Sequence, residues 1–309
     1  MRAYIKRMRV YFAEMFSIPQ HALLAFLIYL SIAVFAGWVQ QEAVAFVSWD
    51  TLLGAWSVFG LWLVLRLMDE IKDEDIDREL FPHRPVPSGR VSKADIKRTL
   101  ASAMILYLGA HVFAGVALWT ALFVLGYSVL MFKRFFALQV LRRSLIITLV
   151  SHNPIVPLML AQCFVVFAVD HGIALNELHL DLIVPFIVML WLPLLAWELA
   201  RKIRSPEEET AYVTYSRLFG YVGAVLLTGG VQTTAFCVGL YFWSRFSLSW
   251  TYLGILIFGL GLTYLGYLRF VLHPSPETGK LKYYAVVFLV CTNLAQLIEF
   301  GRLVWRTGE

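Results

Sequence analysis

Charge is scarce in this chain. Of its 309 residues 15% are charged and 60% hydrophobic, whereas an ordinary soluble domain carries about a quarter charged residues. That balance excludes a soluble globular protein. Cysteine is also scarce: Cys163, Cys237 and Cys291 fall inside apolar runs without metal or redox spacing, so they read as small buried hydrophobes rather than bridges. No low-complexity linker divides the chain, and residues 1–309 read as one integral membrane domain. The first apolar run is too long for a cleavable signal and lacks a small-residue cleavage pattern, so it is expected to remain as an anchor.

What is present is a succession of apolar runs near 21–40, 45–68, 99–117, 118–132, 144–169, 182–200, 218–243, 249–271 and 283–301. A run of about 20 apolar residues spans the hydrocarbon of a bilayer as a helix. The expectation is an all-α, polytopic bundle of nine transmembrane helices. A pI near 9.1 would suggest a nucleic-acid partner in a soluble chain; here the basic residues report topology instead, and no nucleic acid is implied. Arg2, Lys6, Arg7 and Arg9 precede the first run, Arg84, Arg90, Lys93, Lys97 and Arg98 follow the second, and Lys133, Arg134, Arg142 and Arg143 follow the fourth. The opposite loops carry almost none, with Arg245, Arg302 and Arg306 as exceptions. The N-terminus and the longest polar interruptions, 69–98, 201–217 and 272–282, are therefore expected on the cytoplasmic side.

The first interruption begins "LRLMDEIKDEDIDRELFPHRPVPSG". On a helix, positions i, i+4 and i+8 share a face, so Asp69, Asp73 and Asp77 form one acidic stripe while Asp75 points away. Carboxylates on one face repel unless a cation neutralises them. Hard oxygen ligands suit Mg²⁺, which takes one or two carboxylates and completes its shell with water and phosphate. A solvated helix end balanced by nearby lysines and arginines is the competing reading. The proline-rich "FPHRPVPSG" ends the helix at Pro82 and holds Arg84 close to the acids, and a guanidinium near such acids suits a di- or triphosphate ligand.

These residues resemble the first signature of the UbiA superfamily of intramembrane prenyltransferases: an Asn or Asp, Asp residues at +4 and +8, then an "RP-x-P-SG" turn. Asp69 stands where Asn is common. The resemblance implies a nine-helix bundle in which Asp69, Asp73 and Asp77 bind the Mg²⁺ that holds a prenyl diphosphate, with Asp73 and Asp77 counted among the catalytic residues. "LMFKRFF" is similar to the family's Lys-Arg pair, so Lys133 and Arg134 would assist diphosphate binding; their other reading is contact with lipid headgroups. The second family motif, usually Asp-rich, is matched here by "WELARKIRSPEEETAYVTYS", in which Glu198 and Glu208 are the candidates for further metal binding. Glu198 and Lys202 share a helix face, which also allows a structural ion pair. Arg201 and Lys202 would substitute for part of the missing metal charge.

Within a span, "SHNPIVP" at 151–157 is unusual, because polar residues inside the membrane face a cavity or a partner. His152 and Asn153 are candidates to line an acceptor pocket, His152 as a base; a hydrogen bond between helices is the alternative. His111, Asn293, Gln296 and Glu299 are candidates of the same kind. The activity implied by the resemblance is Mg²⁺-dependent transfer of an isoprenyl group from a prenyl diphosphate to an aromatic or other lipophilic acceptor, with diphosphate released at the membrane. A terpene cyclase on the same scaffold, and a membrane transporter or lipid-binding protein, are the other readings.

Overall fold

In lipid each backbone N–H and C=O must be satisfied within its own segment, which selects helices for the long apolar runs. The computed structural model describes residues 2–137, 139, 141, 144–210 and 213–307, and the regular structure among these is helical throughout. The helices are α1 (Arg2–Met15), α2 (Ile18–Gln40), α3 (Trp49–Lys72), α4 (Glu74–Leu80), α5 (Lys93–His111) and α6 (Val116–Phe132). They continue as α7 (Leu145–His152), α8 (Ile155–Asp170), α9 (Leu180–Ala200), α10 (Tyr215–Phe246), α11 (Trp250–Leu272) and α12 (Leu281–Thr307). Arg142 and Arg143 of the expected basic loop lie outside the described residues.

Among the described residues seven segments are long and apolar enough to cross a membrane, α7 and α8 counting together, so the chain is an integral, multi-pass membrane protein. The remaining two of the nine expected runs are also helical but less typical. α6 has only 17 residues, and α5 begins with Lys93, Asp95, Lys97 and Arg98, which make its first turns polar. The boundary between them, expected at Ala117–Leu118, falls earlier because the left-handed backbone of Gly115 (φ 51°) supplies the turn. α1 and α4 are additional helices that no apolar run announced.

The contacts divide the chain into two units. The first comprises Met1–Leu30, Ala45–Leu138 and Ala161–Leu175; the second comprises Ser31–Val44, Gln139–Leu160 and Asn176–Glu309. In the first, α3 packs against α5 and α6, and Val58, Leu61, Val64 and Leu67, three residues apart and winding round α3, are all fully buried. A Cβ at Gly54 would overlap the Tyr29 ring, so this glycine lets the ring seat directly on the α3 backbone. His111 sits at the end of α5, fully buried. It contacts Ser57 at 2.9 Å, the Tyr107 carbonyl at 2.7 Å and Gln162 at 3.2 Å. A histidine so thoroughly engaged serves packing.

In the second unit α9, α10, α11 and α12 pack on one another. A cluster of rings joins Phe35, Phe186, Phe242 and Phe300, with Phe35 and Phe186 stacked at 3.8 Å. Glycines allow close helix approach: a Cβ at Gly239 would lie 2.7 Å from Leu256 and 2.8 Å from Met189. Glu299 is buried and accepts from the Ser249 backbone N–H at 3.0 Å and from Arg302 at 2.6 Å, so it caps α11. Gln296 donates to the Tyr252 hydroxyl at 3.1 Å, and Asn293 to the Leu289 carbonyl at 2.8 Å. Cys163 and Cys291 are buried as expected, whereas Cys237 is exposed on α10; the apolar run that carries it presents that side outward.

Candidate functional site

The acidic stripe spans a break in the helix. α3 ends at Lys72, Asp73 adopts φ −103° and ψ 13°, and α4 begins at Glu74. The backbone N–H of Asp73 nevertheless donates to the Asp69 carbonyl, that of Asp77 to the Asp73 carbonyl, and that of Phe81 to the Asp77 carbonyl, each at 2.9 Å. The four-residue register thus survives the kink and keeps the three aspartates in line. Asp75 is exposed and Asp77 buried, as their positions on that face require.

Each acid meets a cation. Lys72 donates to Asp69 at 2.6 Å, Arg134 lies 3.4 Å from Asp73, and Arg84 donates to Asp77 at 2.7 Å. The Asp69 and Asp73 side chains remain 47% and 40% exposed, against 9% for Asp77. Partial burial pushes the Asp73 carboxyl above the ordinary aspartate range, opposed by Lys72 and Arg134. Among the described residues no group of three acid, histidine or cysteine side chains forms a ready metal cage.

The loop that presents Arg84 is a compact series of turns. The Arg84 N–H bonds to Phe81 O at 3.0 Å, the Ser88 N–H to Arg84 O at 3.0 Å, and the Val91 N–H to Pro85 O at 2.9 Å. Gly89 closes it in the left-handed region at φ 77°. The Arg84 guanidinium also lies 3.9 Å over the Phe81 ring, a cation–π contact. Downstream, Ser92 and Asp95 form a reciprocal capping box that starts α5.

Arg134 arrives by an unusual route. Arg134, Phe135 and Phe136 have φ of 52°, 49° and 56°, three consecutive left-handed residues that L-side chains rarely adopt. The turn aims Arg134 at Asp73 and at the Lys72 carbonyl, 3.3 Å away. Lys133 is exposed, its ammonium 5.5 Å from the Phe132 ring.

The second-motif residues belong to the second unit. Glu198 accepts from Arg201, at 2.9 Å through Nη2, and pairs with Lys202 at 3.2 Å. Glu208 closes a capping box on Ser205, accepting from its backbone N–H at 3.3 Å and its hydroxyl at 3.0 Å. Glu209 accepts from Thr214 at 2.8 Å and Ser216 at 2.6 Å. These glutamates organise the 201–217 connection. The box was legible as S-P-E-E, a Ser followed three residues later by Glu.

The "SHNP" stretch interrupts a span: α7 stops at His152, α8 starts at Ile155, and Pro154 cannot donate to the helix ladder between them. Asn153 accepts through its side-chain oxygen from the Trp191 indole of α9, and His152 lies 3.0 Å from the Ser151 hydroxyl. Asn153 therefore ties two helices together.

One ion pair beside the stripe was missed from the sequence. Glu70, buried, accepts from Arg66 at 2.8 Å and from the Tyr11 hydroxyl of α1 at 3.4 Å. Arg66 and Glu70 are one helical turn apart on α3, a spacing that identifies such a pair.

The fold is that of UbiA-type membrane proteins. It is shared with a solved structure of digeranylgeranylglyceryl phosphate synthase, which is 16% identical with a TM-score of 0.61 over 95% of this chain and 99% of the other. An apo UbiA homologue from Aeropyrum pernix K1 is also similar: 16% identity, TM-score 0.63, over 90% of this chain and 97% of that one. No protein-family model and no curated protein matches the sequence.

Proposed function

We propose that this chain is a UbiA-superfamily prenyltransferase that uses Mg²⁺ and moves an isoprenyl group from a prenyl diphosphate to a lipophilic acceptor. The observation that carries the reading is the line of Asp69, Asp73 and Asp77, held in register across the α3–α4 break with Arg84 and Arg134 beside it. The shared fold supports it.

Asp69 and Asp73 offer partly exposed oxygen donors, which suits an ion that binds through one or two carboxylates and retains water. Bound by Asp69, Asp73 and Asp77, Mg²⁺ would supply positive charge to the diphosphate oxygens. Arg84 would grip those oxygens with paired donors, and Arg134 and Lys133 would add charge from the end of α6. The allylic C–O bond breaks with its electron pair leaving on diphosphate, the acceptor forms the new bond to that carbon, and the acceptor's proton passes to a base. The positioned cations favour the departing anion. Placing this chemistry at the cytoplasmic ends of α3 and α6 would leave the hydrocarbon chain in the membrane.

The experiment is diphosphate release by purified protein in nanodiscs, with a panel of prenyl diphosphates, with and without Mg²⁺, and with lipid extract as acceptor. Magnesium-dependent release with a prenylated product, lost in Asp73→Ala, is the expected result. A cyclic hydrocarbon formed from donor alone would replace the transferase with a cyclase, and no release from any donor would overturn both.

A further inference from the structure

α1 carries four hydrogen-bonding side chains at positions 4, 7, 11 and 14, a three-four-three spacing that puts them on one helix face. Each is tied to a residue of α3, of α5 or of the loop that precedes α5. Tyr4 meets the Thr99 hydroxyl at 2.7 Å, Arg7 donates twice to Asp95 at 2.6 and 3.0 Å, Tyr11 donates to Glu70 at 3.4 Å, and Glu14 accepts from Arg90 at 2.9 Å. The buried residues of α1 are Met8 and Tyr11, and the polar ties run beside them.

The last tie reaches furthest into the site. The Arg90 guanidinium that holds Glu14 also donates to the His83 carbonyl at 2.7 Å and to the Ser88 hydroxyl at 3.1 Å. One side chain therefore gathers the loop immediately beside Arg84 and fastens it to α1. Glu14 and Arg90 are both exposed, at 42% and 44%, and a solvent-exposed ion pair contributes little to global stability. Its geometric effect is a different matter, because it fixes the loop on both sides of Arg84, at His83 and Ser88.

We infer that α1 is a strap and that Glu14 and Arg90 are positioning residues, which hold the 82–92 loop so that Arg84 stays aligned with the acidic stripe for a diphosphate ligand. This rests on the diphosphate reading above. Neither residue touches the ligand; each acts through the loop.

The test measures binding of magnesium pyrophosphate to the full chain in nanodiscs, alongside thermal unfolding. Glu14→Ala and Arg90→Ala are expected to weaken binding by about tenfold, the scale of a small misplacement of a binding group, with the melting temperature unchanged. Glu14→Asp, which keeps the carboxylate, should stay within about threefold of the unaltered chain. Equal binding by Glu14→Ala and the unaltered chain would overturn the strap while leaving the diphosphate reading intact. A loss of binding that tracks a fall in melting temperature would also overturn it, since the role would then be structural. If the unaltered chain binds no pyrophosphate, the diphosphate reading itself fails, and the positioning role with it.

Discussion

Arg84 folds back across its loop to donate to the Asp77 carboxylate at 2.7 Å while its guanidinium lies over Phe81, 3.9 Å from the ring centre. Two partners hold the side chain in place. A lysine keeps the charge but has neither the planar fork nor the same stacking. Arg84→Lys is expected to weaken magnesium pyrophosphate binding about tenfold with little change in unfolding. Arg84→Ala should weaken it further and also destabilise the fold by about 1–3 kcal/mol, because Asp77 is left buried without its cation, a cost discounted for the partial exposure of Arg84. Isothermal titration and thermal unfolding separate the two effects.

The Asp73 carboxyl is raised, so folding favours its protonated form. Its contribution to stability is complete below the ordinary aspartate range and is lost as pH rises through the shifted value. In metal-free protein, Asp73→Asn should therefore melt at a higher temperature than the unaltered chain at pH 7, and the advantage should disappear in acid. Added Mg²⁺ should narrow the gap at pH 7 by stabilising the carboxylate. Melting curves across pH, with and without Mg²⁺, check each part.

Glu74 behaves in the opposite sense. Its hydrogen bond from Lys93 holds the carboxyl below the ordinary glutamate range, so its contribution is present above that range and fades as pH falls through the depressed value. Glu74→Gln should cost about 0.2–1 kcal/mol at neutral pH, less at high salt, because Lys93 is largely solvated. Unfolding at two ionic strengths gives the comparison.

Asn153 and Trp191 should act as a unit. Asn153→Ala removes the acceptor for a half-buried indole N–H, at a cost of about 1 kcal/mol, and Trp191→Phe removes the donor. The double variant should be less destabilised than the sum of the singles. Additive losses in unfolding, together with acceptor-specific loss of turnover in Asn153→Ala, would instead put Asn153 in the acceptor pocket.

Much of this architecture was legible from spacing alone. The apolar runs announced the helices, and the four-residue interval of Asp69, Asp73 and Asp77 announced the stripe, since helical register depends on separation in sequence. The break at Asp73 was not legible, because its surrounding residues all favour helix or tolerate it and nothing local forces a kink. The left-handed turn at Arg134–Phe136 was hidden for a related reason: arginine and phenylalanine give no hint of positive φ, which tertiary contacts must impose. The ties of α1 leave no local signal, because their partners lie from 59 to 95 residues away in the chain. Glu208 carried a readable local signal, the capping box on Ser205, overshadowed by the family motif it stood near.

The direction in which α3 runs has its own consequence. Backbone dipoles place about half a negative charge at a helix C-terminus, and it is this end, with the Lys72 carbonyl facing Arg134, that abuts the aspartates. Many phosphate-binding proteins do the reverse and greet the anion with a helix N-terminus. Here the bare scaffold is polarised against its proposed ligand, and the hospitality of the site depends on mobile positive charge. On the proposed reading the end of α3 would work as a rectifier, opening to an anion only after cations had reversed its sign.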